Sequence, residues 1–163
     1  NGYTITEERK EKVLFSEPYL SNSQIIVTMA DSDIETKADL AGKVVATQQG
    51  SAAFDAIIAD ETGIAAEFDG GTPILYPTFN DVFNDLESGR SDAIVVDEVL
   101  GRYTMKLKGE EKFAVLTDNF GDEEYGVGLR KEDVALKEAI DATMNDMHED
   151  GTYDEIYAKW FAE

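Results

Sequence analysis

Short runs of β-branched and aromatic residues alternate along this chain with longer stretches whose apolar positions recur every three or four residues. QIIVTM (24–29), KVVAT (43–47), PILY (73–76), DAIVV (92–96), KFAVL (112–116) and YGVGL (125–129) read as strands bounded by polar or glycine-rich segments. Between them SAAFDAIIADETG (51–63) predicts a helix with Ser51 as N-cap and Gly63 just past its end. NDVFNDLESG (80–89) predicts a second, capped by Asn80 and stopped by Gly89, and DEVLGRYTMKLKG (97–109) a third. The last third is helical: Leu136, Ile140, Met144 and Met147 mark one apolar face that ends near Gly151, and TYDEIYAKWF adds a second, shorter helix. Strand–helix alternation of this kind predicts an α/β protein with a largely parallel sheet. No repeat or low-complexity tract interrupts it, and Pro18, Pro73 and Pro77 fall at turns or strand edges.

The charge narrows the partners. Lys+Arg 14 against Asp+Glu 35 gives a net charge of −21, which opposes binding to nucleic acid or to an anionic membrane surface. The 163 residues suffice for one ordinary domain or two small lobes. The chain has no cysteine, which excludes disulfides, thiolate metal sites and a cysteine nucleophile. No apolar run is long enough to cross a bilayer and no signal peptide is visible, so the protein is cytosolic or its targeting segment lies outside this sequence.

Catalysis has little to work with. His148 is the single histidine, near a helix C-terminus among Asp146, Glu149 and Asp150, where an imidazole ordinarily rests as a surface residue. No local signature marks a serine nucleophile with its base, and DSD (31–33) lacks the glycine and downstream glutamate of a calcium loop. No catalytic residue, metal or cofactor is expected.

Three constellations stand out, each with a plainer alternative. Gly2, Thr4 and Arg9 set a glycine and a hydroxyl beside a guanidinium whose fork suits a carboxylate; alternatively Arg9 pairs with Glu8 or Glu11 on the surface. TQQGSAAFDAI runs from a strand through Gly50 into a helix start at Ser51, where free N–H groups receive an anion and the glycine admits a close approach; alternatively it is an ordinary β–α turn. GRSDAIVVDEV is an apolar strand ending at Asp97, placed to meet a cation at the carboxyl end of a sheet, unless Asp97 only caps the next helix. Together, guanidinium, helix-start amides and carboxylate complement a zwitterionic α-amino acid.

These blocks carry a family resemblance. GYTITEERKEKVLFSEPY, LAGKVVATQQGSAA, DLESGRSDAIVVDE, YGVGLRKED and DGTYDEIYAKWF resemble, in order, the successive blocks of polar amino-acid-binding proteins of bacterial ABC importers, the type 2 periplasmic-binding-protein family. The resemblance covers essentially the whole chain. It implies that Arg9 clamps the ligand α-carboxylate with help from the backbone of Gly2 and Thr4. Ser51 and the amide of Ala52 add the second lobe's contribution, Asp97 accepts the α-ammonium, and Gln48 faces the ligand side chain.

The family fold implied is two α/β lobes with the ligand in the cleft and hinge closure around it. Residues 1–24 with 121–163 are expected to form part of lobe 1, and 25–120 a nearly complete lobe 2. Relatives begin with a further βαβαβ-like unit, on the order of 60 residues, so lobe 1 is expected to be truncated, with any signal peptide or lipid-anchor cysteine in the part not seen. The expected partners are a free polar L-amino acid, an ABC permease in the membrane, and the missing segment or a second copy of the truncated chain; the expected location is periplasmic or lipid-anchored at the cell surface. Affinity in this chain is expected to be weak or absent, and the amino acid is left open. An amino-acid-sensing receptor domain and a cyclohexadienyl-dehydratase-like enzyme are the alternatives on the same scaffold; the AKWFAE terminus resembles that of the transport proteins.

Overall fold

The computed structural model describes residues 2–161; Asn1, Ala162 and Glu163, the last two belonging to the AKWFAE terminus, lie outside the described residues. The chain divides into two compact units, Asn1–Ser21 with Glu124–Glu163, and Asn22–Glu123.

Unit 2 is built on a five-stranded sheet. Its strands are β2 (Leu20–Met29), β3 (Val45–Gln48), β4 (Ile74–Tyr76), β5 (Ala93–Asp97) and β6 (Phe113–Tyr125), in the order β4-β3-β5-β2-β6. β3 runs parallel to both β4 and β5, but β2 is antiparallel to β5, so the parallel portion is confined to three strands. The expectation of a largely parallel sheet is corrected to a mixed one. Parallel pairing follows from strand–helix–strand crossovers, and β2, where the chain enters the unit, has no helix before it that would impose one.

Apolar residues on both faces of these strands explain the layers. Ile26, Val45, Ala93 and Val95 pack on one face with Ala53 and Ile57 of α2 (Ala52–Ala59). Ile25, Val27, Ala46, Ile94 and Val96 point to the other, against Val82, Phe83 and Leu86 of α3 (Phe79–Glu87) and Met105 of α4 (Glu98–Lys108). Neighbours in sequence part to opposite cores because the strand period is two.

The helix ends differ from the sequence expectation in two places. α2 stops at Asp60 rather than near Gly63, because Asp60 Oδ1 accepts from the Thr62 N–H at 3.1 Å and its Oδ2 takes Lys37 Nζ at 2.7 Å, turning the chain early. α3 is capped by Thr78, not Asn80: Thr78 Oγ1 accepts from the Asp81 N–H at 3.2 Å and donates to Asp81 Oδ2 at 2.7 Å.

One buried charge steadies this unit. Asp85 of α3 has a side chain 0% exposed, and its Oδ1 receives Nε of Arg90, itself 64% exposed, at 2.6 Å. Burial pushes the carboxyl up, but Tyr76, Arg90 and Ser91 outweigh it and leave it below the usual carboxylate range, although Asp85 Oδ2 and Ser91 Oγ make no bond of good hydrogen-bond geometry. Because the folded-state value is depressed, the pair contributes stability above the unfolded value of about 3.9, and that contribution is lost as the pH falls through the lower folded value. Arg90→Ala is therefore expected to lower stability at pH 7, by less than the loss of a wholly buried pair because the guanidinium is open to solvent. The gap from the unsubstituted chain should narrow below about pH 4; a gap in denaturant midpoint that stays constant from pH 7 to 3 would show the pair to be electrostatically idle.

Unit 1 is smaller. α1 (Glu7–Lys12) is followed by β1 (Leu14–Phe15), which pairs antiparallel with β7 (Gly128–Leu129). α5 (Val134–Glu149) and α6 (Thr152–Phe161) follow, tied back by the Glu17 N–H to Asp141 Oδ1 at 2.8 Å and by Tyr153 Oη to the Tyr19 carbonyl at 2.7 Å. The apolar face read from Leu136, Ile140, Met144 and Met147 is not enclosed: Leu136 is exposed, the other three are half-buried, and Ile156, Tyr157, Trp160 and Phe161 of α6 are exposed. Periodicity marks which face is apolar, not what covers it. Among the described residues no helix is long and apolar enough to cross a membrane.

Candidate functional site

Two groups of predicted residues fall in unit 2, at the carboxyl ends of adjacent parallel strands. β3 leads through Gln48 and Gly50 into α2, and β5 ends on Asp97. Ser51 caps α2 by accepting from the Phe54 N–H at 3.2 Å, while its hydroxyl donates to the Gln48 carbonyl at 2.8 Å. The cap leaves the amide of Ala52, the first helical residue, among those without an intrahelical acceptor. Gly50 has φ of 66° and open space where a Cβ would stand, so the turn's left-handed backbone by itself favours glycine here. Gln48 does not stand free: its Nε2 donates to the Pro77 carbonyl at 2.9 Å and ties β3 to the segment before α3.

Asp97 precedes α4 but makes no capping bond with its side chain, which removes the alternative that it serves only as a cap. Its Oδ1 instead accepts from Gln24 Nε2 at 2.7 Å and Asn22 Nδ2 at 3.1 Å. Among the described residues no lysine or arginine pairs with it. The adjacent Glu98 is spoken for: Ser23 Oγ donates to its Oε2 at 2.7 Å and Arg102 Nε to its Oε1 at 2.8 Å. Burial pushes Glu98 up, yet Ser23 and Arg102 outweigh it and hold the carboxyl below its ordinary value. Of the two neighbouring acids, Asp97 is the one that keeps an uncompensated charge.

The remaining predicted residues are in unit 1. Arg9 lies on α1, whose N-cap Thr6 accepts from the Arg9 N–H at 3.2 Å. Its Nη1 donates to the Thr4 carbonyl at 3.0 Å and its guanidinium carbon lies 4.7 Å from the centre of the Tyr3 ring. The alternative of an ion pair with Glu8 or Glu11 is not what the structure shows, since Glu8 pairs with Lys12. Thr4 is buried in a bridge to Tyr125, and Gly2 lies so close to that tyrosine that a Cβ would meet its ring at 2.4 Å. Close approach, not a turn, is what requires glycine here.

Sequence reasoning passed over Tyr3, Asn22, Ser23, Gln24 and Glu98. The available signal was polar residues at the head of the otherwise apolar QIIV run, where a strand entering a core ought to carry none.

Residues 1–163 match the bacterial extracellular solute-binding proteins, family 3. The chain belongs to that family. It is 32% identical over 162 residues to the ABC transporter glutamine-binding protein GlnH of Bacillus subtilis, a match covering 98% of this chain and 56% of that protein. Among solved structures, an ABC uptake transporter substrate-binding protein from Streptococcus pneumoniae with bound histidine superposes with a TM-score of 0.93 at 35% identity, over 100% of this chain and 67% of that one. The GluR0 ligand-binding core from Nostoc punctiforme in complex with L-glutamate gives 0.81 at 26% identity, over 99% and 71%. The fold is thus that of the type 2 periplasmic-binding proteins. This family 3 chain spans about 56–64% of the length of curated relatives it matches.

Proposed function

We propose that this chain binds a free polar L-amino acid outside the cytoplasm for delivery to an ABC permease in the membrane. The observation that carries the reading is a pair of charged groups that form no ion pair among the described residues and are held by neutral ones: Asp97 by two side-chain amides, Arg9 by a backbone carbonyl and a tyrosine ring. In this reading Asp97 accepts the α-ammonium. Arg9 clamps the α-carboxylate with the backbone of Gly2 and Thr4, Ser51 and the Ala52 amide add donors to that carboxylate, and Gln48 faces the ligand side chain. Each charge-assisted hydrogen bond contributes about 1.5–3 kcal/mol, while a buried charge left without its partner costs more, about 3–5 kcal/mol. That asymmetry favours zwitterions over plain acids or amines.

The exposed apolar residues of α5 and α6 support a further expectation, that unit 1 is covered by another polypeptide segment or a second copy of the chain. Similarity to the GluR0 ligand-binding core in complex with L-glutamate keeps amino-acid sensing as a second reading with the same binding chemistry.

The test is a two-dimensional NMR titration of the isotope-labelled chain with L-glutamine, L-arginine and L-histidine, which registers dissociation constants from micromolar to millimolar. Of the weak or absent affinity expected from the sequence, weak binding is the outcome proposed: saturable shifts at Ser51, Ala52 and Asp97 are expected for at least one of them. Equal shifts with the matching desamino acid, or none with any amino acid, would overturn the assignment.

A further inference from the structure

β2 and β5 pair with Gln24 directly opposite Asp97, so the two side chains leave the sheet on one face. Asn22, two residues back along β2, shares that face. Both amides converge on the same oxygen, Oδ1 of Asp97, and neither donates to Oδ2. Asn22 is itself fixed twice more: its Oδ1 accepts from the Val99 N–H at 3.2 Å, and its Nδ2 also donates to Glu123 Oε1 at 2.6 Å.

Gln24 gives something up in this arrangement. It is 1% exposed, and its own Oε1 is buried with no partner. Its strand neighbours Ile25, Ile26 and Val27 are apolar and enclosed, so a leucine at position 24 would avoid the unsatisfied oxygen altogether. The amide is oriented for the carboxylate and against its own satisfaction. Its chemistry fits that purpose. A lysine at position 22 or 24 would also fix Asp97, but its ammonium would neutralise the carboxylate and compete with a cationic ligand. Neutral amides hold the group and leave its charge available.

We propose, resting on the assignment of Asp97 as the ammonium acceptor, that Asn22 and Gln24 are positioning residues: they immobilise Oδ1 so that Oδ2 is the oxygen offered to the cation. Asn22 also links this acceptor to Glu123 on β6, the strand by which the chain leaves unit 2.

Gln24→Met and Asn22→Ala remove the donors, and each is made in the unsubstituted chain and in Asp97→Ala. Dissociation constants are measured by NMR titration for L-glutamine and for its desamino analogue, identical but for hydrogen in place of the α-ammonium. Each variant is expected to weaken L-glutamine about tenfold, the loss of roughly one hydrogen bond to a charged group. The desamino analogue should be unaffected, and neither substitution should weaken L-glutamine further once Asp97 is alanine. Parallel losses for both ligands, or losses that persist in Asp97→Ala, would reduce the two residues to a structural role and overturn the proposal.

A second readout needs no ligand. The side-chain amide signals of Asn22 and Gln24 should shift when Asp97 becomes alanine, and signals that stay put overturn the proposal outright. If the unsubstituted chain binds none of L-glutamine, L-arginine and L-histidine, the amino-acid assignment falls. The amide signals then decide alone whether these residues hold the carboxylate, a shift upholding the clamp.

Discussion

Phe83→Ala is expected to destabilise unit 2 by about 3–5 kcal/mol. Phe83 is 0% exposed and meets Phe113 edge-on at 5.7 Å between ring centres, among Ile25, Val27, Ile94 and Val96 from the sheet and Met105 from α4. Truncation removes the transfer energy of a ring and leaves a void whose walls belong to a sheet and two helices, none of which can close in without disturbing the others. It also removes an aromatic pair worth about 0.5–1.5 kcal/mol beyond its area. Total stabilities run about 5–15 kcal/mol, and each kcal/mol moves the midpoint of a domain this size by about 4–8 °C, so the melting transition should fall by some tens of degrees or vanish. Leu107→Ala on α4, where the leucine is 69% exposed, is the matched control and should stay within about 0.5 kcal/mol. Similar losses at both positions in calorimetric unfolding would refute the assignment of this core.

What the sequence made legible here was local. The position of each apolar residue within the runs at 25–27, 45–46 and 93–96 places its side chain on one sheet face or the other, because nothing but the strand period decides it. Ser51 as the cap of α2 was equally visible, since a serine before an apolar helix has one common use. Thr78 and Asn80 are not told apart by residue type, since both kinds cap helices, and the choice between them depends on where the preceding chain leaves β4. The antiparallel setting of β2 depends on pairings tens of residues apart, which no window of sequence contains. The open face of α5 and α6 fails for a related reason: a periodic stripe says that a partner is wanted, not that it lies within the chain.

The site divides in the same way. Arg9, Ser51 and Asp97 could be singled out because a guanidinium, a helix start and a strand-end aspartate each have a recognisable chemistry. Gln24 and Asn22 could not, since their importance lies in standing opposite Asp97 across a strand pair that only the folded sheet creates. The register supplies what residue type alone withholds.

Arg9→Lys is expected to abolish most amino-acid binding while leaving the fold nearly intact. The substitution keeps the positive charge, but a lysine ammonium is a compact point charge that cannot meet a carboxylate with two parallel N–H groups. In this structure the guanidinium is pre-set by Nη1 on the Thr4 carbonyl and by the face of Tyr3, contacts that a lysine reproduces poorly. An anionic ligand group left without its matched donor costs about 3–5 kcal/mol, so affinity should drop by about two to three and a half orders of magnitude. The folding cost is smaller, about 1–2 kcal/mol for one hydrogen bond and one cation–π contact at a half-buried site. Measured together, an NMR titration with L-arginine, L-glutamine and L-histidine should lose its saturable shifts while the thermal midpoint falls by about 4–16 °C, well short of the loss at Phe83. Arg9→Ala should match the lysine variant in binding, because charge without the fork contributes little here. A lysine variant within threefold of the unsubstituted chain would mean that the carboxylate is held elsewhere, with the Ser51 and Ala52 start of α2 the remaining donor set to examine by substitution.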